Sequence, residues 1–191
     1  MKGDFNLKPQ PIISPASSTS IGREPADSLA AQQNPLLRAI LLEPVMGRTL
    51  SFAGTMTTIK VSSASTNGVY CVSEYWLPPS FPGPPPHVHR RIEHTWYVLE
   101  GSPQVLLECK FFQVPTGACV HVPQGVAHTF SNPGNMPCRV LAIDTPGDFV
   151  AYYEALAEAF PGDTPVDPQR IVEIQRRFDT YPPELLKGDL K

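Results

Sequence analysis

Proline sets the terms on which this chain can fold: 23 of its 191 residues are proline, about 12 % against roughly 5 % in average usage. The pyrrolidine ring removes a backbone donor and clashes with the preceding helical turn, so proline is excluded from helix interiors and central strands. Regular elements must therefore be short and joined by fixed turns. That favours a β-rich fold.

The segments between the prolines agree. Stretches 49–61 and 69–77 are rich in Thr, Val, Ile, Tyr and Phe and suit strands, and Asn67-Gly68 between them is a hairpin signal. Further strands are expected at 87–89, 94–100, 104–113, 118–122, 126–131 and 138–144. Gly101-Ser102-Pro103, Pro115-Thr116-Gly117, Pro123-Gln124-Gly125 and Asn132-Pro133-Gly134 punctuate them. Many short strands at close spacing argue for a sandwich or barrel.

Both ends differ from this middle. Residues 1–34, rich in Ser, Pro, Ala and Gln, bury too little apolar surface to offset ordering entropy and are read as a flexible tail. Leu36, Leu37, Ile40 and Leu41 have helix-like spacing that Pro44 cuts short. After the strands, 149–160 carries Phe149, Tyr152, Tyr153, Leu156 and Phe160 at helical spacing, with Asp148 as the expected N-cap and Pro161 as the stop. A second helix is expected from Asp167-Pro168 to Phe178. Both helices are expected to cover the outside of the barrel or a subunit contact, without a chemical role.

Composition narrows the function classes. Apolar residues make up 41 % and charged residues 17 %, with a net charge of −3; no basic runs mark a nucleic-acid footprint. The longest apolar runs are a few residues, too short to span a membrane. Cys71, Cys109, Cys119 and Cys138 include no CxxC pair. With no basic start, apolar core and cleavage site at the N-terminus, they are expected to be buried thiols in a cytoplasmic protein.

The chemistry is concentrated in one stretch. All five histidines lie between residues 87 and 128. His87 and His89 are one residue apart in an extended segment, so both rings face one side of the sheet. His94, Trp96 and Val98 share one parity of the following strand, and His128 opens the strand after Pro123-Gln124-Gly125. Neutral imidazoles converging on one cavity make a site for a divalent transition metal. His121, Arg90-Arg91 and the cysteines are expected to be structural or solvated.

The spacing resembles that of the cupin superfamily, whose first motif is Gly, a spacer, His-x-His, three or four residues, Glu, six residues, Gly. Here it reads Gly83-Pro-Pro-Pro-His87-Val-His89-Arg-Arg-Ile-Glu93-His94-Thr-Trp-Tyr-Val-Leu-Glu-Gly101. The second motif, Gly-x5-Pro-x-Gly-x2-His-x3-Asn, is met by Gly117, Pro123, Gly125, His128 and Asn132. The resemblance implies an all-β jelly-roll barrel over 35–147, a helical extension over 148–191 and a homodimer. It also implies one divalent metal ion, Fe(II) first, with Mn, Ni, Cu or Zn as alternatives.

One departure matters. Counting six residues back from Gly101 reaches His94, where the family usually has its metal-binding Glu. The expected ligands are therefore His87, His89, His94 and His128; Glu93 replaces or joins His94 if the strand carries a bulge. Trp96, Phe130 and Tyr70 are the expected pocket walls, and Glu93, Glu74 and Tyr70 the candidate bases. By resemblance to flavonol- and diketone-cleaving cupins, the first expectation is a dioxygenase acting on a small enolisable or aromatic substrate chelated to the ion. The alternatives are a redox-silent lyase, isomerase or hydrolase, and a non-catalytic small-ligand module.

Overall fold

Turns with residues at positive φ divide the β-rich middle more finely than composition does. β1 (Arg48–Phe52) and β2 (Thr55–Val61) form a hairpin where one strand was expected over 49–61. Ala53 (φ 50°) and Gly54 (φ 76°) make its two-residue loop, the backbone a tight hairpin needs. That loop is tied down from outside: the Ala53 and Gly54 amides donate to the Phe160 and Gly162 carbonyls at 3.0 and 2.9 Å. The stretch 104–113 likewise splits into β5 (Gln104–Leu107) and β6 (Lys110–Gln113) about Glu108 (φ 57°). Asn67 and Gly68 do adopt left-handed backbone, but they end a 3-10 turn, Ser63–Thr66, within a longer connection to β3 (Cys71–Leu77).

The remaining strands are β4 (Glu93–Glu100), β7 (Cys119–Val122), β8 (His128–Ser131) and β9 (Cys138–Thr145). This computed structural model describes residues 39–183; the expected tail 1–34 and Leu36 and Leu37 lie outside them. Ile40 and Leu41 are not helical.

Two sheets face each other, as in a jelly roll. One has six strands in the order β1-β2-β3-β9-β4-β7, the other three in the order β6-β5-β8. Among the described residues no ladder joins the two, so the barrel is a pair of facing sheets and not one closed cylinder. The expected strand at 87–89 is present only as bridges, His87 to His128 and Val88 to Tyr181, which extend the smaller sheet. β3, β4 and β9 bury every second residue, the period-two signature of a sheet with one packed face. Tyr75, Leu77, Trp96, Val98, Val105, Val120, Phe130 and Val140 fill the space between the sheets and leave a cavity of about 10 Å3. That is at the lower limit for one water.

The C-terminal segment is more than a cover. After a 3-10 turn at Gly147–Phe149 come α1 (Val150–Ala159) and α2 (Pro168–Arg177). Asp167 caps α2 as expected, accepting from the Gln169 and Arg170 amides, with Pro168 at the first position. Asp148 does not cap α1; it sits inside the 3-10 turn, 4.0 Å from Arg91. Phe149, Tyr153 and Leu156 are buried in the same core as the strands. No helix among the described residues is long and apolar enough to cross a membrane.

Two residues of the sequence motifs make close contacts at the end of β8. A Cβ at Gly83 (φ +73°) would lie 1.7 Å from the Phe130 carbonyl oxygen, so only glycine allows this close passage. Asn132, 1 % exposed, directs its amide nitrogen at the carbonyls of Leu77, Pro78 and Met136 (3.1, 2.9 and 2.8 Å). Its oxygen accepts from the Gly134 amide. Asn132→Ala should therefore lower stability by about 1–3 kcal/mol in urea titration, the cost of stranding buried carbonyls; an unchanged midpoint would contradict this clamp.

Candidate metal centre

Histidines from the two sheets meet at one end of the sandwich. His94 comes from β4 of the larger sheet, His128 from β8 of the smaller one, and His87 and His89 from the bridged segment beside β8. All four are buried, from 9 % exposed at His87 to 1 % at His89 and His128. The ligand nitrogens of His87, His89 and His128 lie within 4.8 Å of one another. His94 borders this trio, its ring 4.8 Å from that of His89 and 5.3 Å from that of His128.

Every Nδ1 is engaged by an acceptor. His87 donates to the Pro85 carbonyl, His89 to Asp179 and His128 to Val126, each at 2.8 Å. His94 Nδ1 lies 2.7 Å from Asp144 Oδ1. Carbonyl oxygens only accept, so in the neutral rings of His87, His89 and His128 the proton is on Nδ1 and the lone pair on Nε2. The Nε2 atoms of His89 and His128 are buried with no hydrogen-bond partner among the described residues. Burial strongly favours the neutral rings: it holds His87 down to about 4, and His89 and His128 to about 2.

These features fit a metal ion. Orphaned buried polar atoms are rare, and a neutral imidazole whose far nitrogen is anchored is the usual form of a histidine ligand. Metal–nitrogen bonds of about 2.1 Å keep ligand atoms on one ion within about 4.2 Å of each other. A trio already within 4.8 Å could close on an ion by small side-chain shifts.

Aromatic rings wall the group. Trp96 stacks on His94 at 5.4 Å and meets His128 at 5.8 Å and Phe130 at 5.4 Å. Phe149 packs on His94 and His89 at 5.1 and 5.5 Å. Tyr70, expected as a wall, is 40 % exposed ahead of β3, with its backbone against Gly147; Tyr75 holds the inward position instead, stacked on Phe130. Glu93 alternates with the buried His94 and is half-buried on the other face of β4; the irregularity in the β4–β9 ladder falls between Val98 and Glu100, too far along to turn it inward. Glu74 faces outward on β3, bonded to Arg139.

The remaining candidates are peripheral. His121 is exposed and paired with Thr95 Oγ1 at 3.1 Å. Arg90 lies over the Tyr181 ring. Cys71 and Cys138 are buried thiols as expected, whereas Cys109 and Cys119 are exposed, because they occupy the β5–β6 turn and an outward position of β7.

Sequence reasoning missed the supports. Asp144, 0 % exposed, holds His94 with Oδ1 and accepts from the Tyr153 hydroxyl with Oδ2 at 2.7 Å. The Tyr75 hydroxyl bonds that of Tyr153, and the Cys71 thiol lies 3.6 Å from Oδ2. Burial, with the Asp144 charge nearby, pushes all three of these acids up, so they act as neutral donors. A signal was present: Asp144 falls on the inward parity of Cys138, Val140 and Ala142, where a carboxylate needs a reason to be.

Comparison with known proteins follows the same lines. Residues 74–144 match the family model described as Cupin domain. An uncharacterized protein of Methanocaldococcus jannaschii, MJ1618, is 32 % identical over 60 residues, covering 31 % of this chain and 48 % of that protein. A mannose-1-phosphate guanylyltransferase of Klebsiella pneumoniae is 37 % identical over 57 residues, 30 % of this chain and 12 % of the enzyme. The chain thus spans less than half the length of either curated relative. The polyketide cyclase RemF of Streptomyces resistomycificus superposes with a TM-score of 0.50 at 22 % identity, over 56 % of this chain and 80 % of that one; a likeness at that level concerns the fold alone. Matched segment, facing sheets and histidine-bearing motifs agree: residues 74–144 carry a cupin domain.

Proposed function

We propose that His87, His89, His94 and His128 hold one divalent transition-metal ion through their Nε2 atoms, and that the chain is a metal-dependent dioxygenase. Its substrate is a small enolisable or aromatic compound that chelates the ion through oxygen. The observation that carries this reading is a shared arrangement: four buried rings, each with Nδ1 against an oxygen acceptor. A bound ion supplies Lewis-acid stabilisation of a substrate oxyanion and, when redox-active, a path for electrons to dioxygen.

The surrounding residues support the substrate class. No glutamate among the described residues lies on the histidine face, and Asp144 is sealed at 0 % exposure, so a substrate that arrives already acidic needs no protein base. The Trp96 indole nitrogen is buried without a partner among the described residues and offers a donor to a substrate oxygen. With the interior below packed, the approach is from the side of His87, the least buried of the four. Phe149 and Trp96 then flank a flat ring and exclude water.

Metal analysis of the purified chain should find one ion per chain, with occupancy lowered by alanine at any of the four histidines. Full occupancy after replacing all four contradicts the site. With β-diketones and flavonols, oxygen uptake should accompany turnover; turnover that continues without oxygen and with Zn(II) would assign the redox-silent alternative instead.

Acid should destabilise the metal-free protein. The three shifted histidines are protonated near 6.5 when unfolded but resist protonation when folded, so the unfolded state binds more protons as pH falls. Stability carries no penalty from them above about pH 6.5; it falls from there to about pH 4 through His87 and on toward about pH 2 through His89 and His128. Melting curves of the metal-free chain should shift down across that window; a flat profile would contradict neutral buried rings.

A further inference from the structure

We infer that Asp144 is a positioning residue for the metal ion, supplying through His94 the negative charge that four neutral imidazoles lack. The inference rests on the four-histidine reading above. Asp144 on β9 is the direct cross-strand partner of His94 on β4, so the register of two central strands fixes the pair. Oδ1 accepts a hydrogen bond from His94 Nδ1 at 2.7 Å. Oδ2 is occupied by the Tyr153 hydroxyl and the Cys71 thiol, which leaves the carboxylate one orientation.

The charge balance then points one way. A carboxylate out of water is costly unless a positive partner is near. Tyr153, Cys71 and, behind them, Tyr75 give hydrogen bonds but no charge. Among the described residues, the basic side chain that meets Asp144 is the His94 ring, at 2.7 Å. A cation on the far nitrogen of that imidazole is the compensation the geometry allows, and it lies one ring away from the carboxylate. Asp144 therefore acts as an outer carboxylate: it orients His94, raises its basicity as a ligand and lowers the net charge of the centre. Without the ion this buried carboxyl group lacks that compensation and adds little to the fold.

That opposition between metal-free and metal-loaded states separates this role from a structural one. The full-length chain and its Asp144→Asn variant are stripped of metal, titrated with Zn(II) against a chelating dye, and melted with and without the ion. Asn keeps the shape and an oxygen for His94. Affinity for Zn(II) should fall about 10–100-fold, while the metal-free variant melts no lower than the metal-free parent. In a His94→Ala background, adding Asp144→Asn should leave Zn(II) affinity unchanged, because the carboxylate acts only through that ring. Unchanged affinity in the single variant, a further loss in the double variant, or a metal-free variant that melts well below its parent would each overturn the inference. If the parent chain itself binds no Zn(II) or other divalent transition metal, the four-histidine reading fails instead.

Discussion

Four hydrogen bonds on the outer side of four imidazoles are what the rest of the site depends on. Each sets an oxygen acceptor against Nδ1. Without them a buried histidine would be free to rotate, swap tautomers or seek another donor, and the rings would not share a purpose. Three of the acceptors are backbone carbonyls, fixed by the chain itself. The fourth, at His94, is a carboxylate. The histidine that stands where the motif usually has an acidic ligand is thus the one backed by a carboxyl group.

The acceptors come from every layer of the molecule. Pro85 and Val126 lie in the segments beside the small sheet, Asp144 is in the large one, and Asp179 follows α2. Tyr153 of α1 braces Asp144, and the bridge between Val88 and Tyr181 holds the segment that carries His87 and His89. The helical extension is consequently part of the centre and not only its outer cover. Phe149 adds a wall against two of the rings. Site and fold are stabilised by the same contacts, so damage to either should register in both.

Much of this was legible in the sequence. Proline and glycine signals delimited the strands, and period-two alternation put His94, Trp96 and Val98 on the buried face. Glu93 points to the other side for the same reason. What was not legible depends on contacts distant in sequence. The Ala53-Gly54 reversal is held by carbonyls more than a hundred residues away, and no local propensity reveals them. Tyr70 was expected in the pocket because aromatic residues suit walls, but Tyr75 has the inward parity of β3. The role of α1 and of Asp179 follows from how the C-terminal segment docks, which helix periodicity does not specify. Asp144 was readable in principle, as an acid on an apolar face.

The account stands or falls on one ion shared by rings from both sheets. Diffraction from metal-loaded crystals, with anomalous differences collected at the metal edge, tests this directly. A single peak within bonding distance of Nε2 of His87, His89, His94 and His128 is the predicted result. A peak elsewhere, or one bound by the trio with His94 turned away, would contradict it.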